Sequence, residues 1–524
     1  MTTYNTGRPG VFIQEVALPQ VVTLPDTGTA VGALVGVLGQ GPTDVPVLLQ
    51  SWTDFVNTFG PLNDVYPTTW AAFNFFANGG RSLYIKRIPG TASAASITLD
   101  DASVSATPTL TVSAKNPGTW GNYLSVSVDA GSAAGRFNLV VYKTTIVSGR
   151  SSTAVAETWR DLTLSAIDPH YAPIVINTGS KLISLVDLGS TSTAPTNIPV
   201  ASSAAYLSGG TDAGSAPVRS DFADALLTFD AIDNPIIFNL PDAGYIYNPV
   251  TGISDQRTLS INIQADAVAY ADARNDAFVI IDTPSSLTVP NAQQYVSDVA
   301  AAFAASSTGN VAAAYYPWLE IPNTLSAAPG ALRHQAPGAA MIGQYLATDA
   351  SRGVFKTPAG YGNRVAIAVA TETQLTNAQL DSLNVGTYPI NAIRQIPGVG
   401  IVVMGGRTLD ADPRNRYINI RRSLNYIEKE LKRLSAFAVF ENNDSILWGK
   451  LRATLGNFLS SYWQQGGLRG TSQSQAFYVT CDASNNSFTD MQNGTVNISI
   501  GVALEYPAEY VVIQLGQITA SATA

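Results

Sequence analysis

The chain has 524 residues, 46% hydrophobic and only 13% charged, with 29 Lys and Arg against 38 Asp and Glu for a net charge of −9. That length exceeds one hydrophobic core and suggests about three or four domains, while charge at roughly half the usual share suggests a surface covered by other subunits. One cysteine excludes an internal disulfide, two distant histidines exclude an ordinary zinc site, and no apolar run approaches the ~20 residues of a membrane span.

The first ten residues, MTTYNTGRPG, lack the charged-then-apolar pattern of a signal peptide, which predicts folding in a cytoplasm. GRPGVFIQEV at 7–16 reads as a strand after a Gly-Pro break, with Val11, Ile13 and Glu15 alternating against Phe12 and Val16. No second strand follows at hairpin distance, so this one needs a partner from elsewhere. From 29 to 90 the pattern is strand, two helices, strand. The composition then turns to Ser, Thr and Ala, with short alternating runs such as TLTVSA and YLSVSVD, which predicts an inserted β-sandwich.

Strands and helices alternate from 216 to about 385, the pattern of a parallel sheet covered by helices. In DASRGVFK, Asp349 and Arg352 are spaced to pair across one helical turn. After the strand IVVM at 401–404 comes the most regular helix in the chain, with Asp412 placed to cap it and Pro413 at its first position. Tyr417, Ile420, Leu424, Ile427, Leu431 and Leu434 form its predicted buried stripe. A second helix carries Leu447, Leu451, Leu455, Phe458 and Tyr462 and stops at Gly466-Gly467. Two strand runs follow, SQAFYVTCD and TVNISIGVAL, and AEYVVIQLGQ closes the chain as another unpaired strand, carried by Tyr510, Val511, Val512, Ile513 and Leu515. The divisions are an arm (1–20), an α/β segment packing with the core (21–90), the insertion (91–213), an α/β domain (214–385), an α+β C-terminal domain (386–505) and a second arm (506–524).

Catalytic sets are hard to find. His170 lies in the insertion and His334 in a loop rich in Pro, Gly and Ala; no G-x-S-x-G elbow supplies a nucleophile. The glycine clusters GVLGQGP and GVGIVV lack the features of phosphate-binding loops. Cys481, in an apolar run, reads as a core residue. No catalytic residue, metal site or cofactor is assigned.

Charge is segregated instead. Arg394–Arg469 holds 12 basic against 6 acidic residues, leaving 17 against 32 elsewhere. This predicts a positive surface on one domain. No recognised nucleic-acid motif accompanies it, and a solvated helix face competes with docking on an acidic protein surface.

The order of motifs resembles the contractile tail sheath proteins of bacteriophages, related to the sheaths of phage-tail-like bacteriocins. The resemblance is carried by PGVFIQEV at 9–16, VGALVGVLGQGPTDVPVLLQSWTDFVNTFG at 31–60, FFANGGRSLYIKRI at 75–88 and PGAAMIGQYLATDASRGVFKTPAG at 337–360. It continues through INAIRQIPGVGIVVMGGRTL at 390–409, DPRNRYINIRRSLNYIEKEL at 412–431, AVFENNDSILW at 438–448 and LEYPAEYVVIQ at 504–514. It implies a non-enzymatic structural subunit whose α/β domain is subtilisin-like without the catalytic machinery. It implies hexameric rings stacked helically around a tail tube, with baseplate and tail terminator proteins as further partners, and neither nucleic acid nor membrane insertion. The setting would be the virion tail, assembled in the host cytoplasm.

Terminal arms would add strands to neighbours, and the C-terminal domain would face the tube. Its tube-contact candidates are Arg414, Arg421, Arg422, Lys429, Lys432 and Arg433 on the first helix, with Lys450 and Arg452 on the second. A bacteriocin or injection-particle sheath is the alternative, a subtilisin-like hydrolase or a nucleic-acid-binding capsid or tail component the competing classes.

Overall fold

The computed structural model describes residues 30–147, 150–212, 217–247 and 254–509. The arm residues 9–16 and 510–515 lie outside them.

An eight-stranded sheet organises the chain. Read across, its strands are Gly400–Val403, Ile390–Ile396, Ala312–Tyr316, Ala277–Asp282, Ile236–Asn239, Val31–Val37, Leu83–Ile88 and Val47–Leu49. The six middle strands are parallel and the two outermost are antiparallel to their neighbours. Parallel strands need crossovers, and helices therefore cover both faces. Ser254–Arg274 and Val289–Phe303 pack one face through Ile263, Val268, Tyr295 and Val299. Pro67–Ala77 and Gly338–Arg352 pack the other through Trp70, Phe75, Met341 and Tyr345. Buried from both sides, AFVIID at Ala277–Asp282 and AAAYY at Ala312–Tyr316 show no exposed position.

The division at 386 is corrected by this sheet. Ile390–Ile396 and Gly400–Val403, assigned from sequence to the C-terminal domain, close one side of the core as an antiparallel pair. Their apolar residues Ile393, Ile401 and Val403 belong to the core itself. Likewise Val31–Val37 and Leu83–Ile88 sit inside the sheet, so the first segment and the α/β domain share one fold.

Between the bridge partners Ser93 and Thr211, the insertion has a four-stranded and a three-stranded antiparallel sheet about one core that includes Leu110, Val112, Val126 and Leu139. A short helix, Ala172–Gly179, adds Ile176 to it. Buried Arg87 links insertion and core: its guanidinium donates to the carbonyls of Leu38, Gly41 and Pro117 at 2.7, 2.7 and 2.8 Å.

Candidate assembly interface

The first C-terminal helix runs Ile418–Ser435, starting later than its sequence suggests. Asp412 does not cap it: its carboxylate accepts from the Arg414 N–H at 2.9 Å in a separate turn. The chain turns at 412–415 and is then held extended at 416–417, because Thr408 N–H bonds to Arg416 O and Arg407 bridges Tyr417. Tyr417 occupies the N-cap position without a side-chain cap.

Its buried face is also different. Leu424, Leu431, Leu434 and Tyr417 are only half-buried, whereas Asn419, Arg422, Ser423, Asn425 and Glu430 are buried beside Ile418, Ile420 and Ile427. A second packing surface explains this. One side lies on the α/β core and is held by polar bonds: Asn425 Nδ2 donates to Ala277 O and Asn419 Nδ2 to Phe355 O, at 3.2 and 3.0 Å. The other packs Ile427, Tyr426 and Leu431 against Leu459, Tyr462 and Phe458 of the second helix, Ser445–Gln464. Apolar periodicity marks only the helix–helix side.

The basic candidates divide sharply. Arg422 is not a tube contact: its side chain is 4% exposed and forms a two-pronged ion pair with Asp349, itself 0% exposed. The guanidinium also lies 5.0 Å from the Tyr345 ring centroid, and desolvating a charge is tolerable only with such partners. The expected Asp349–Arg352 pair is therefore replaced by Asp349–Arg422, with Arg352 exposed at the helix end. Lys429 is engaged by Asp233 at 2.6 Å and Asp276 at 3.2 Å, Arg433 by Glu430 at 2.5 Å, and Arg421 by Glu428 at 3.6 Å. Arg414 holds Asp412, and Arg452 meets Asp482 at 3.3 Å on the surface. Lys432 and Lys450 are exposed and make no ion pair among the described residues. Much of the positive excess is neutralised inside the chain, with acidic partners drawn partly from the core.

Beyond the second helix lies a two-stranded antiparallel sheet, Phe477–Thr480 with Ser499–Val502. Gly501 faces Tyr478 in register, and the tyrosine ring occupies the space that a Cβ at 501 would need. Phe477 packs into the helical cluster, leaving Tyr478 exposed. Among the described residues neither strand has a second neighbour. Two strands alone are marginal in water, so their free edges suit incoming chain.

The catalytic candidates offer less. Both ring nitrogens of His334 face carboxylates, Nε2 at 3.3 Å from Glu320 and Nδ1 at 3.2 Å from Glu372, which leaves neither nitrogen turned to a hydroxyl nucleophile. His170 lies 3.3 Å from Asp168 in the insertion. At the carboxyl end of the parallel strands, where α/β folds place ligands, burial pushes Asp242 and Asp282 up to about 7. Both are internally bonded: Asp242 accepts from Val37 N–H at 2.6 Å, and Asp282 from Asn239 Nδ2 and Gly338 N–H at 2.8 Å each. No group of three His, Cys, Asp or Glu among the described residues could hold a metal, and none of their helices is long and apolar enough to cross a membrane. Cys481 is buried and burial raises its thiol pKa.

Residues 410–517 match the family model of the phage tail sheath C-terminal domain. The match contains both helices, the two-stranded sheet and the start of the C-terminal arm. No curated protein matches the chain in sequence. Solved structures match almost all of it. The helical sheath of the anti-feeding prophage in its contracted state aligns at 20% identity and a TM-score of 0.57, covering 98% of this chain and 99% of that one. The PVC sheath of an extracellular contractile injection system, also contracted, gives 21% and 0.55 with the same coverage. The sheath tail protein of Listeria innocua gives 12% and 0.60, covering 91% and 95%. The segment that matches the family model thus lies within a chain whose fold is similar to that of these sheath proteins over almost its whole length.

Proposed function

We propose that this chain is the structural subunit of a contractile sheath, with no catalytic function. The observation that carries the reading is the family-model match at 410–517 inside a fold similar to that of sheath proteins over almost the whole chain. The two-stranded sheet supplies the physical complement: its strands have no second neighbour among the described residues, which leaves edges for neighbouring arms to pair with. In this reading Val11–Val16 and Tyr510–Leu515 are the arms that add to it, joining subunits by backbone hydrogen bonds while side-chain interfaces exchange. Subunits form hexameric rings stacked helically around a tube, a baseplate triggers shortening, and increased intersubunit contact drives the change.

The α/β core serves as a subtilisin-like scaffold without catalytic machinery. Lys450, with Lys432 and Arg452 near it in charge and exposure, is the favoured tube contact, because exposed pairs worth about 0–1 kcal/mol each can hold register and still release. A phage tail and a phage-like injection particle would use the same subunit physics.

Truncation tests the reading. Variants lacking residues 1–16 or 510–524 should remain folded, by circular dichroism, while in electron micrographs only the full chain should form long sheaths. Sheaths of normal length from both truncations would remove the arms from the mechanism.

A further inference from the structure

Arg407 occupies a junction between three parts of the chain. Its backbone is fixed to the central sheet by buried Asn391, which accepts from Arg407 N–H and donates to Arg407 O, both at 2.8 Å. Asn391 also donates to Ala314 O on the neighbouring strand at 3.2 Å. The approach is so close that a Cβ on Gly405 would fall 2.8 Å from Asn391 Cα, leaving glycine as the residue that fits. Arg407 Nη1 donates to Asn384 O at 2.9 Å. The other edge of the guanidinium grips Glu509, 102 residues later, through Nε at 3.0 Å and Nη2 at 2.5 Å.

Glu509 is held from a second direction, by the Tyr417 hydroxyl at 3.4 Å. The Tyr417 ring meets Tyr506 edge-on at 6.1 Å, and Asn419 Nδ2 donates to Glu505 O at 2.9 Å. Side-chain exposures of 12% for Arg407 and 18% for Glu509 place the pair well out of solvent, where a two-pronged geometry is worth more than a surface pair. Burial, and then the Glu509 charge, raise the Tyr417 hydroxyl pKa, consistent with a phenol that stays a donor.

We propose that Arg407 and Glu509 form a clamp that ties residue 509, the last before the stretch 510–524, to the central sheet and passes load on that stretch into the sheet. Without the clamp, tension would fall on the single Asn419–Glu505 bond and the Tyr417–Tyr506 ring contact, and behind them on the two-stranded sheet and the helix pair, because the chain runs Ser499–Val502 and then straight into 503–509. With it, the path from Glu509 to Asn391 and the Ile390–Ile396 strand is a few hydrogen bonds long. The small domain can then turn against neighbours without carrying the pull between them. The clamp's use in a polymer rests on the sheath reading; its existence does not.

Amide hydrogen exchange on the unassembled full-length chain tests it directly. Arg407→Gln and Glu509→Gln should each speed exchange across 504–509 by roughly ten-fold while leaving Ala277–Asp282 at the wild-type rate. Arg407→Lys, which keeps charge and loses the fork, should fall between, and the swap Arg407→Glu with Glu509→Arg should recover much of the protection. Unchanged exchange at 504–509 in both Gln variants, or equal acceleration in the core strand, would overturn the clamp. Sheath length then reads its use: Glu509→Gln should give shorter sheaths than wild type. A wild-type chain that forms no sheath at all sinks the sheath reading and leaves the exchange result to decide the clamp.

Discussion

Asp349 and Arg422 carry opposite charges into a site that water does not reach, and that placement sets the cost of losing either. Removing one partner strands the other, at about 3–5 kcal/mol. Arg422→Ala should therefore lower unfolding free energy by about that amount in a denaturant titration, whereas Arg352→Ala, on the surface, should stay within about 0.5 kcal/mol. Equal costs would return the pairing to Arg352. Asp242 and Asp282 act in the other direction. Each titrates near 7 in the fold, against 3.8 in an open chain. Between those values the folded chain binds protons that the unfolded chain has released, so stability falls as pH rises from about 4 to 7. Tm should decline across that window, and Asp242→Asn, which keeps an acceptor for Val37 N–H, should flatten the decline. Identical slopes for wild type and variant would show that Asp242 does not titrate there. None of these partnerships is visible in sequence: Arg422 and Asp349 are 73 residues apart, and no local spacing joins them.

Elements were legible where one face met one partner. The alternation of strand and helix from 216 to 385 appears as a helix-covered parallel sheet, and the second C-terminal helix buries Leu447, Leu451, Leu455 and Tyr462. The first C-terminal helix is harder to read, because it packs on two sides and its core-facing side, Ile418 apart, is held largely by polar residues. Periodicity registers apolar residues, so it leaves buried Asn419, Arg422 and Asn425 outside its stripe, and Arg422 reads as a surface cation. Its start was misplaced for a related reason: Asp412-Pro413 is a good helix opening, but pairing of Arg407 and Thr408 with the chain at 416–417 keeps that chain extended. This helix's internal ion pairs direct the tube test to the second helix. Lys450→Glu with Arg452→Glu should leave the fold intact and impair sheath assembly on tubes, while empty sheaths still form. Normal assembly on tubes would point instead to Lys432.

At the scale of the whole molecule, low charge and two terminal strand patterns with no partner nearby in sequence point to a polymer from the sequence alone. The fold adds a helix-covered core, a small domain whose two strands have no second neighbour among the described residues, and an insertion joined to that core through Ser93–Thr211 and Arg87. Which domain contributed which strand of the central sheet was not legible, since the chain leaves that sheet after Ile88 and returns at Ile236 with the whole insertion between them. Electron microscopy of the purified full-length protein tests the sheath reading most directly. Concentrated protein should form hollow tubes or stacked rings with six-fold symmetry and a helical repeat. A monomer that persists across concentration and ionic strength, with both termini intact, would contradict it.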